Sequence, residues 1–479
     1  MHLDRREFLR KSICAALGGV SLYSALGNLK LMAAATSNYS FADYKALVCV
    51  FLYGGNDGLN MIVPYDAAHY AQYRSLRAQI ALAQSTVQAN AFNAAPGDGG
   101  QYGAHPALGD QTASGGNAGL RTLFNAGKAA IVANVGTLIY PITGAQFRAG
   151  SVPVPPSLFS HADQQPQWQT ARPDDLTVGG WGGRVADLLA GANTGSLPMV
   201  VSTSNNNVFE RGDTVSPYCV DPGGVSQMSY LGGGEAWIAT GNDPDSAAAY
   251  KALIAQGTQA HVLERAFADK SRLATANADL LIAALNPVPP LPALRTAFPD
   301  TGLGNQLRMV AQMIRVRATL GMSRQVFFVS AGNYDTHSDQ LANQQDNLSE
   351  LSQALNAFYN ATVELGVANG VTAFTASDFG RSFTSNSTGT DHGWGGHHFV
   401  VGGAVHGGSF YGTMPSLALN TDANPTANPD DTGYGQVVPT TSVDQYAATL
   451  ASWFGIGAAD LATIFPNLGR FATANLGFV

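Results

Sequence analysis

Short apolar runs and stretches of helical periodicity alternate along this chain, and together they predict its architecture. Residues 46–52, 129–135, 199–202, 326–330 and 371–375 are near-continuous apolar runs, with 399–401 a further candidate. Runs of that length, lacking the alternation of a half-exposed strand, predict strands buried on both faces. Between them, apolar positions recur every three or four residues at 120–126, 247–285, 307–320 and 340–365, the spacing that lines one face of a helix. Short apolar strands separated by helices predict an α/β class: a mainly parallel central sheet with helices on both faces. The run Asn286-Pro-Val-Pro-Pro-Leu-Pro292 ends the helix before it, because proline cannot continue the helical ladder. Residues 205–300 are therefore expected to form a helical insertion or cap on a domain spanning 36–479.

The first 35 residues follow a different pattern. Asp4-Arg-Arg-Glu-Phe-Leu-Arg-Lys11 precedes an uncharged apolar segment, Ser12 to Leu29, and then Met32-Ala-Ala-Ala-Thr36. A basic start, a moderately apolar middle and a small-residue exit make a signal peptide, and paired arginines followed by Phe-Leu point to the twin-arginine translocase. An amphipathic first helix of the fold would leave those arginines and the Ala-rich exit unexplained. The expected location is periplasmic or secreted, and because that route exports folded proteins, a metal site could be filled in the cytoplasm before crossing. No second run of about eighteen apolar residues follows, so no stable membrane span is expected.

Composition narrows the field. Charged residues make up only 12% of the chain and glycine occurs 54 times, which suits an ordered, loop-rich protein rather than a disordered one. The net charge of −8 argues against nucleic acid as a partner. Of three cysteines, Cys14 lies in the signal, and Cys49 sits in an apolar run where it reads as a small buried hydrophobe rather than half of a disulfide with Cys219.

The candidate chemistry is concentrated late in the chain. Five of ten histidines lie between 337 and 406, beside Asp335, Asp378 and Asp391. Imidazole nitrogens and carboxylate oxygens are the donors that divalent ions accept, and the two apolar runs that lead into Asp335 and Asp378 would hold those carboxylates still. The competing reading is a solvated glycine-rich loop. Asp57, in Tyr53-Gly-Gly-Asn-Asp-Gly-Leu-Asn60, follows the first predicted strand, where α/β sheets bind ligands, although the same string suits a tight turn. Ser160, before His161, is either a nucleophile near exposed backbone N–H groups or an ordinary helix cap. Arg381 either clamps a substrate anion or pairs with a structural carboxylate.

These segments carry a family resemblance. Gly54-Gly-Asn-Asp57, His105-Pro-Ala-Leu108, Ser160-His161, Gly180-Trp-Gly-Gly-Arg184, Asp335-Thr-His337, Ser377-Asp-Phe-Gly-Arg381 and Gly389-Thr-Asp-His-Gly393 are similar to the exported bacterial family catalogued as domain of unknown function 1501. Its members resemble the alkaline phosphatase and sulfatase superfamily. That resemblance implies an alkaline-phosphatase-like fold and a metal-dependent hydrolase of phosphate or sulfate esters, acting on a small molecule or a polysaccharide. It also implies one or two divalent ions, zinc or calcium/magnesium. Asp57, Asp378 and His392 would hold one ion beside the nucleophile Ser160; Asp335, His337 and His397 or His398 would hold a second; Arg381 would orient the substrate anion. Two spacings depart from the superfamily: Asp339 and Phe379 stand where it has histidines. His392 replaces a missing ligand, or the site takes a single ion, or the chain is a non-catalytic exported cell-envelope binding protein on a degenerate scaffold.

Overall fold

The structure, a computed structural model, describes residues 39–110, 118–225, 244–255, 261–418, 420, 421 and 423–479. The expected signal peptide lies outside them. The strands are β1 (Lys45–Leu52), β2 (Ile62–Pro64), β3 (Tyr102–Ala104), β4 (Ala129–Gly136), β5 (Val200–Ser202), β6 (Tyr218–Cys219), β7 (Arg324–Ala331), β8 (Val371–Ser377), β9 (Arg381–Ser385), β10 (Thr390–His392), β11 (Gly396–Gly402), β12 (Phe410–Tyr411) and β13 (Thr441–Ser442). Nine of them form one sheet, in the order β12-β4-β11-β8-β1-β7-β5-β6 with β13 beside β4. Every pairing in it is parallel except those of β11, which runs antiparallel to both β8 and β4. The class is mixed α/β with a mainly parallel central sheet.

The sheet is buried on both faces because its strands are apolar at successive positions. From β1, Ala46, Val48, Val50 and Leu52 enter one core with the helices Gly302–Arg315 and Gln340–Glu364. Leu47, Cys49 and Phe51 enter the other, against the helices Trp181–Leu188 and Val443–Phe454. Period-two alternation along an extended chain sends neighbours to opposite faces, so apolar residues must occupy both. Cys49 is one of them, and neither it nor the exposed Cys219 forms a disulfide.

Helical periodicity at 247–285 resolves into Pro244–Ala255 and Val262–Leu285, the second ending before the proline-rich run. Together with β6 these are the described elements within 205–300. No helix among the described residues is long and apolar enough to cross a membrane.

The parallel arrangement matters because β1, β7 and β8 all end at the same edge. Loops leaving that edge carry Asp57, Asp335, His337 and Asp378. A two-stranded antiparallel pair, β9 and β10, folds back over it.

Candidate metal centre

Backbone geometry brings the loops together closely. After β1, Gly54 (φ +116°) and Gly55 (φ +84°) lie in the left-handed region open to glycine. A Cβ on Gly54 would sit 2.4 Å from the amide nitrogen of Asp335, and one on Gly55 would sit 2.5 Å from the Phe379 ring. A Cβ on Gly389, in the β9–β10 turn, would sit 2.3 Å from the His337 carbonyl carbon. These glycines let the loops after β7 and β8 and the hairpin meet at one point.

Three imidazoles and a carboxylate converge there. Nε2 of His392 lies 2.9 Å from Nε2 of His337 and 3.1 Å from Nε2 of His161. Asp335 places Oδ1 3.0 Å from the His337 nitrogen and 3.3 Å from that of His392, and Oδ2 3.5 Å from that of His161.

The other ring nitrogens fix the tautomers. His161 Nδ1 donates to Asp378 Oδ2 at 2.6 Å, and His392 Nδ1 donates to the Phe159 carbonyl at 2.7 Å. With Nδ1 carrying the proton in each neutral ring, both Nε2 lone pairs face the same point. Lone pairs about 3 Å apart repel unless a proton or a cation lies between them, and donors bonded tetrahedrally at about 2.1 Å would stand about 3.4 Å apart. The donor atoms of His161, Asp335 and His392 all lie within 4.8 Å of one another and fit a single divalent ion, with His337 beside Asp335 and His392 at the edge of the group. These four side chains are between 27% and 45% exposed, so the cluster opens to solvent and leaves room for a further ligand.

Asp378 supports the cluster from beneath. It is wholly buried and also accepts from Gln165 Nε2 at 2.8 Å. A buried carboxylate holding the far nitrogen of a ligating imidazole orients the ring and raises its basicity. That hydrogen bond leads the influences that raise the His161 pKa, while burial lowers that of His392. Burial alone would raise the Asp335 carboxyl, but the hydrogen bond and charge of Arg381, with His337 and His161 adding, carry it below its usual value. Phe379 packs its ring against both His161 and His392, with centroids 4.7 and 4.8 Å away.

The model of the family described as protein of unknown function (DUF1501) matches residues 44–431. The chain belongs to this family. No protein of curated function matches it.

Several of the residues nominated from sequence occupy other places in this DUF1501 chain. Asp57 caps the short helix Gly58–Met61 and binds Arg77 through both oxygens, at 2.7 and 2.9 Å, with all of these groups buried. His397 and His398 are successive residues of β11, so they point to opposite faces. His397 Nδ1 accepts from the Asn134 amide, and His398 lies between Trp168 and Tyr446. Burial lowers their pKa values to about 4 and about 3, as befits neutral core imidazoles. Arg381 is fully buried and gives its donors to Asp335, the Gly54 carbonyl and Thr390. Ser160 precedes the helix His161–Thr170, makes no cap bond, and donates its hydroxyl to Asp163 Oδ2 at 2.6 Å.

The residue that sequence reasoning passed over is His161. Attention fell on Ser160, and a lone histidine at a helix start carries no ligand spacing of its own. The loop before it makes the placement: Ser157 (φ +51°) and Phe159 (φ +70°) turn the chain so that the Phe159 carbonyl meets His392 while His161 meets Asp378.

Proposed function

We propose that this protein is a metal-dependent hydrolase of phosphate or sulfate esters that works with a single divalent ion held by His161, Asp335 and His392, with His337 beside them. We further propose that the twin-arginine route takes it to the periplasm or beyond. The supporting observation is the convergence of two Nε2 lone pairs and one carboxylate on a point open to solvent, with His337 Nε2 beside them. Imidazole ligands favour zinc or a similar transition ion over calcium or magnesium, which prefer all-oxygen sets. Such an ion supplies Lewis-acid polarisation of an ester oxygen.

The chain's own groups do the rest. Ser160 lies between Phe159, whose carbonyl orients His392, and His161, so its hydroxyl is carried on the same backbone segment that builds the centre. Its proton already points at Asp163, 2.6 Å away, which is placed to take it as the oxygen attacks. Arg381 holds Asp335 instead of the substrate anion. That commitment favours the second reading, a binding module that turns nothing over, because a guanidinium clamp is what an anionic ester would use.

Metal analysis of protein purified without a histidine tag separates the readings when paired with hydrolysis of aryl phosphate and aryl sulfate esters. The hydrolase reading expects about one equivalent of divalent ion, loss of that ion in His392→Ala, and turnover that Ser160→Ala abolishes without removing the ion. A metal-replete protein that turns over neither ester belongs to the binding reading, and a protein that takes up no ion refutes the centre itself.

A further inference from the structure

The buried ion pair that occupies Asp57 is connected to the cluster by side chains alone. Arg77 pairs with Asp57 through two hydrogen bonds. Gln340 Nε2 donates to Asp57 Oδ2. Thr390 Oγ1 donates to Gln340 Oε1 at 2.7 Å, and Arg381 Nε donates to Thr390 Oγ1 at 3.2 Å. Arg381 also donates from Nη2 to the Thr390 carbonyl and from Nη1 to Asp335 Oδ1 at 2.7 Å. Arg77, Asp57, Gln340, Thr390 and Arg381 are all buried, so water does not substitute for any link.

Each link allows one direction. An ionised carboxylate only accepts, so Gln340 must turn its NH2 to Asp57 and its carbonyl oxygen to Thr390. The single hydroxyl proton of Thr390 then goes to Gln340, which leaves a lone pair for Arg381 Nε. Arg381 has only donors, and the last of them meets Asp335. Backbone hydrogen bonds already tie the segments together, Gln340 N to the Thr388 carbonyl and Thr390 N to that of Thr336. They place the chain but do not set the rotation of the Asp335 carboxylate, which has two oxygens and one stiff partner.

We propose that Asp57, Gln340 and Thr390 are positioning residues: a one-way hydrogen-bond relay from the buried Asp57–Arg77 pair fixes Arg381, and through it the angle at which Asp335 meets the ion. The inference rests on the metal centre of the previous subsection. It gives the carboxylate after β1 a part in the site without making it a ligand.

Cobalt(II) reports the effect, because its visible absorption follows both occupancy and ligand geometry. Full-length protein is titrated with Co2+ alone, as wild type, Thr390→Val, Thr390→Ser and Gln340→Met. Thr390→Val keeps the shape and loses the hydroxyl, so Co2+ affinity is expected to fall about tenfold, the low end for removal of an outer-sphere partner, with an altered visible band. Thr390→Ser restores the hydroxyl and is expected to bind within about threefold of wild type. Gln340→Met breaks the same chain elsewhere and replaces Thr390→Val if that variant does not fold. Wild-type affinity and an unchanged band in a folded Thr390→Val or Gln340→Met overturn the relay while leaving the centre intact. If neither variant folds, the chain serves stability instead of ion positioning and the proposal falls. Wild-type protein that binds no Co2+ removes the metal centre and the relay with it.

Discussion

His398 offers a quantitative test of where the histidines of β11 lie. Its ring is fully buried between Trp168 and Tyr446, and burial lowers its pKa from the ordinary 6.5 to about 3. The unfolded chain therefore binds a proton below pH 6.5 that the folded chain refuses until about pH 3. A depressed folded pKa contributes stability above the unfolded value and loses it as pH falls, by about 1.4 kcal/mol per unit for one group. Between pH 6.5 and 4.5 that is about 2 kcal/mol from His398 alone. His398→Phe retains an aromatic ring for Trp168 and Tyr446 but cannot titrate. It also leaves the Thr375 hydroxyl, which lies 3.3 Å from His398 Nδ1, with only the Phe399 amide as partner, at a pH-independent cost of about 1 kcal/mol. The variant should thus be less stable at pH 7, yet its stability should fall less steeply below pH 6 than that of wild type. Urea unfolding at half-unit steps from pH 7 to 4.5, without added metal, reads both slopes. Parallel curves would refute the burial argument and return His398 to the candidate ligands.

Two further outcomes follow from the cluster. Asp378→Asn keeps the shape of the group beneath His161 but not its charge; it should weaken ion affinity about tenfold or more, read by competition with a chelating dye. Gly54→Ala puts a Cβ 2.4 Å from the Asp335 backbone at φ +116°, so the metal-free protein should lose about 2–4 kcal/mol in urea unfolding, with ion uptake reduced as the Asp335 loop shifts.

The sheet was legible because strands buried on both faces must be apolar at every position, a signal that survives without any alignment. The run 46–52 became Lys45–Leu52 and 371–375 became Val371–Ser377. Direction was not legible: an apolar run such as 399–401 says buried, and nothing in it says antiparallel. The β9–β10 pair escaped because Arg381-Ser-Phe-Thr-Ser385 has one large apolar residue and a glycine-bearing turn, the composition of a loop. His397 and His398 could have been separated from the cluster by extending the 399–401 strand backwards, since period two forbids neighbours from sharing a face. Asp57 is an N-cap followed by a buried turn of helix, and its partner Arg77 lies twenty residues on with no local signal. Charge pairing across that distance is a property of the fold.

Asp57 and Phe379 together are the reason the centre is proposed to take one ion instead of two. On the expectation drawn from the sequence, a carboxylate after the first strand and a histidine beside the later aspartate would belong to a second ion. Here the first is neutralised by Arg77, and the second position holds a phenyl ring packed on the imidazoles of His161 and His392. Asp378, between them, gives its accepting oxygen to His161 and Gln165. Groups that would surround a second cation instead orient the ligands proposed for a single one. In the proposed hydrolase, with one ion instead of two, less of the cost of removing the Ser160 proton would be met by metal charge. The carboxylate of Asp163, already 2.6 Å from that hydroxyl, then becomes the group on which nucleophilic attack would depend.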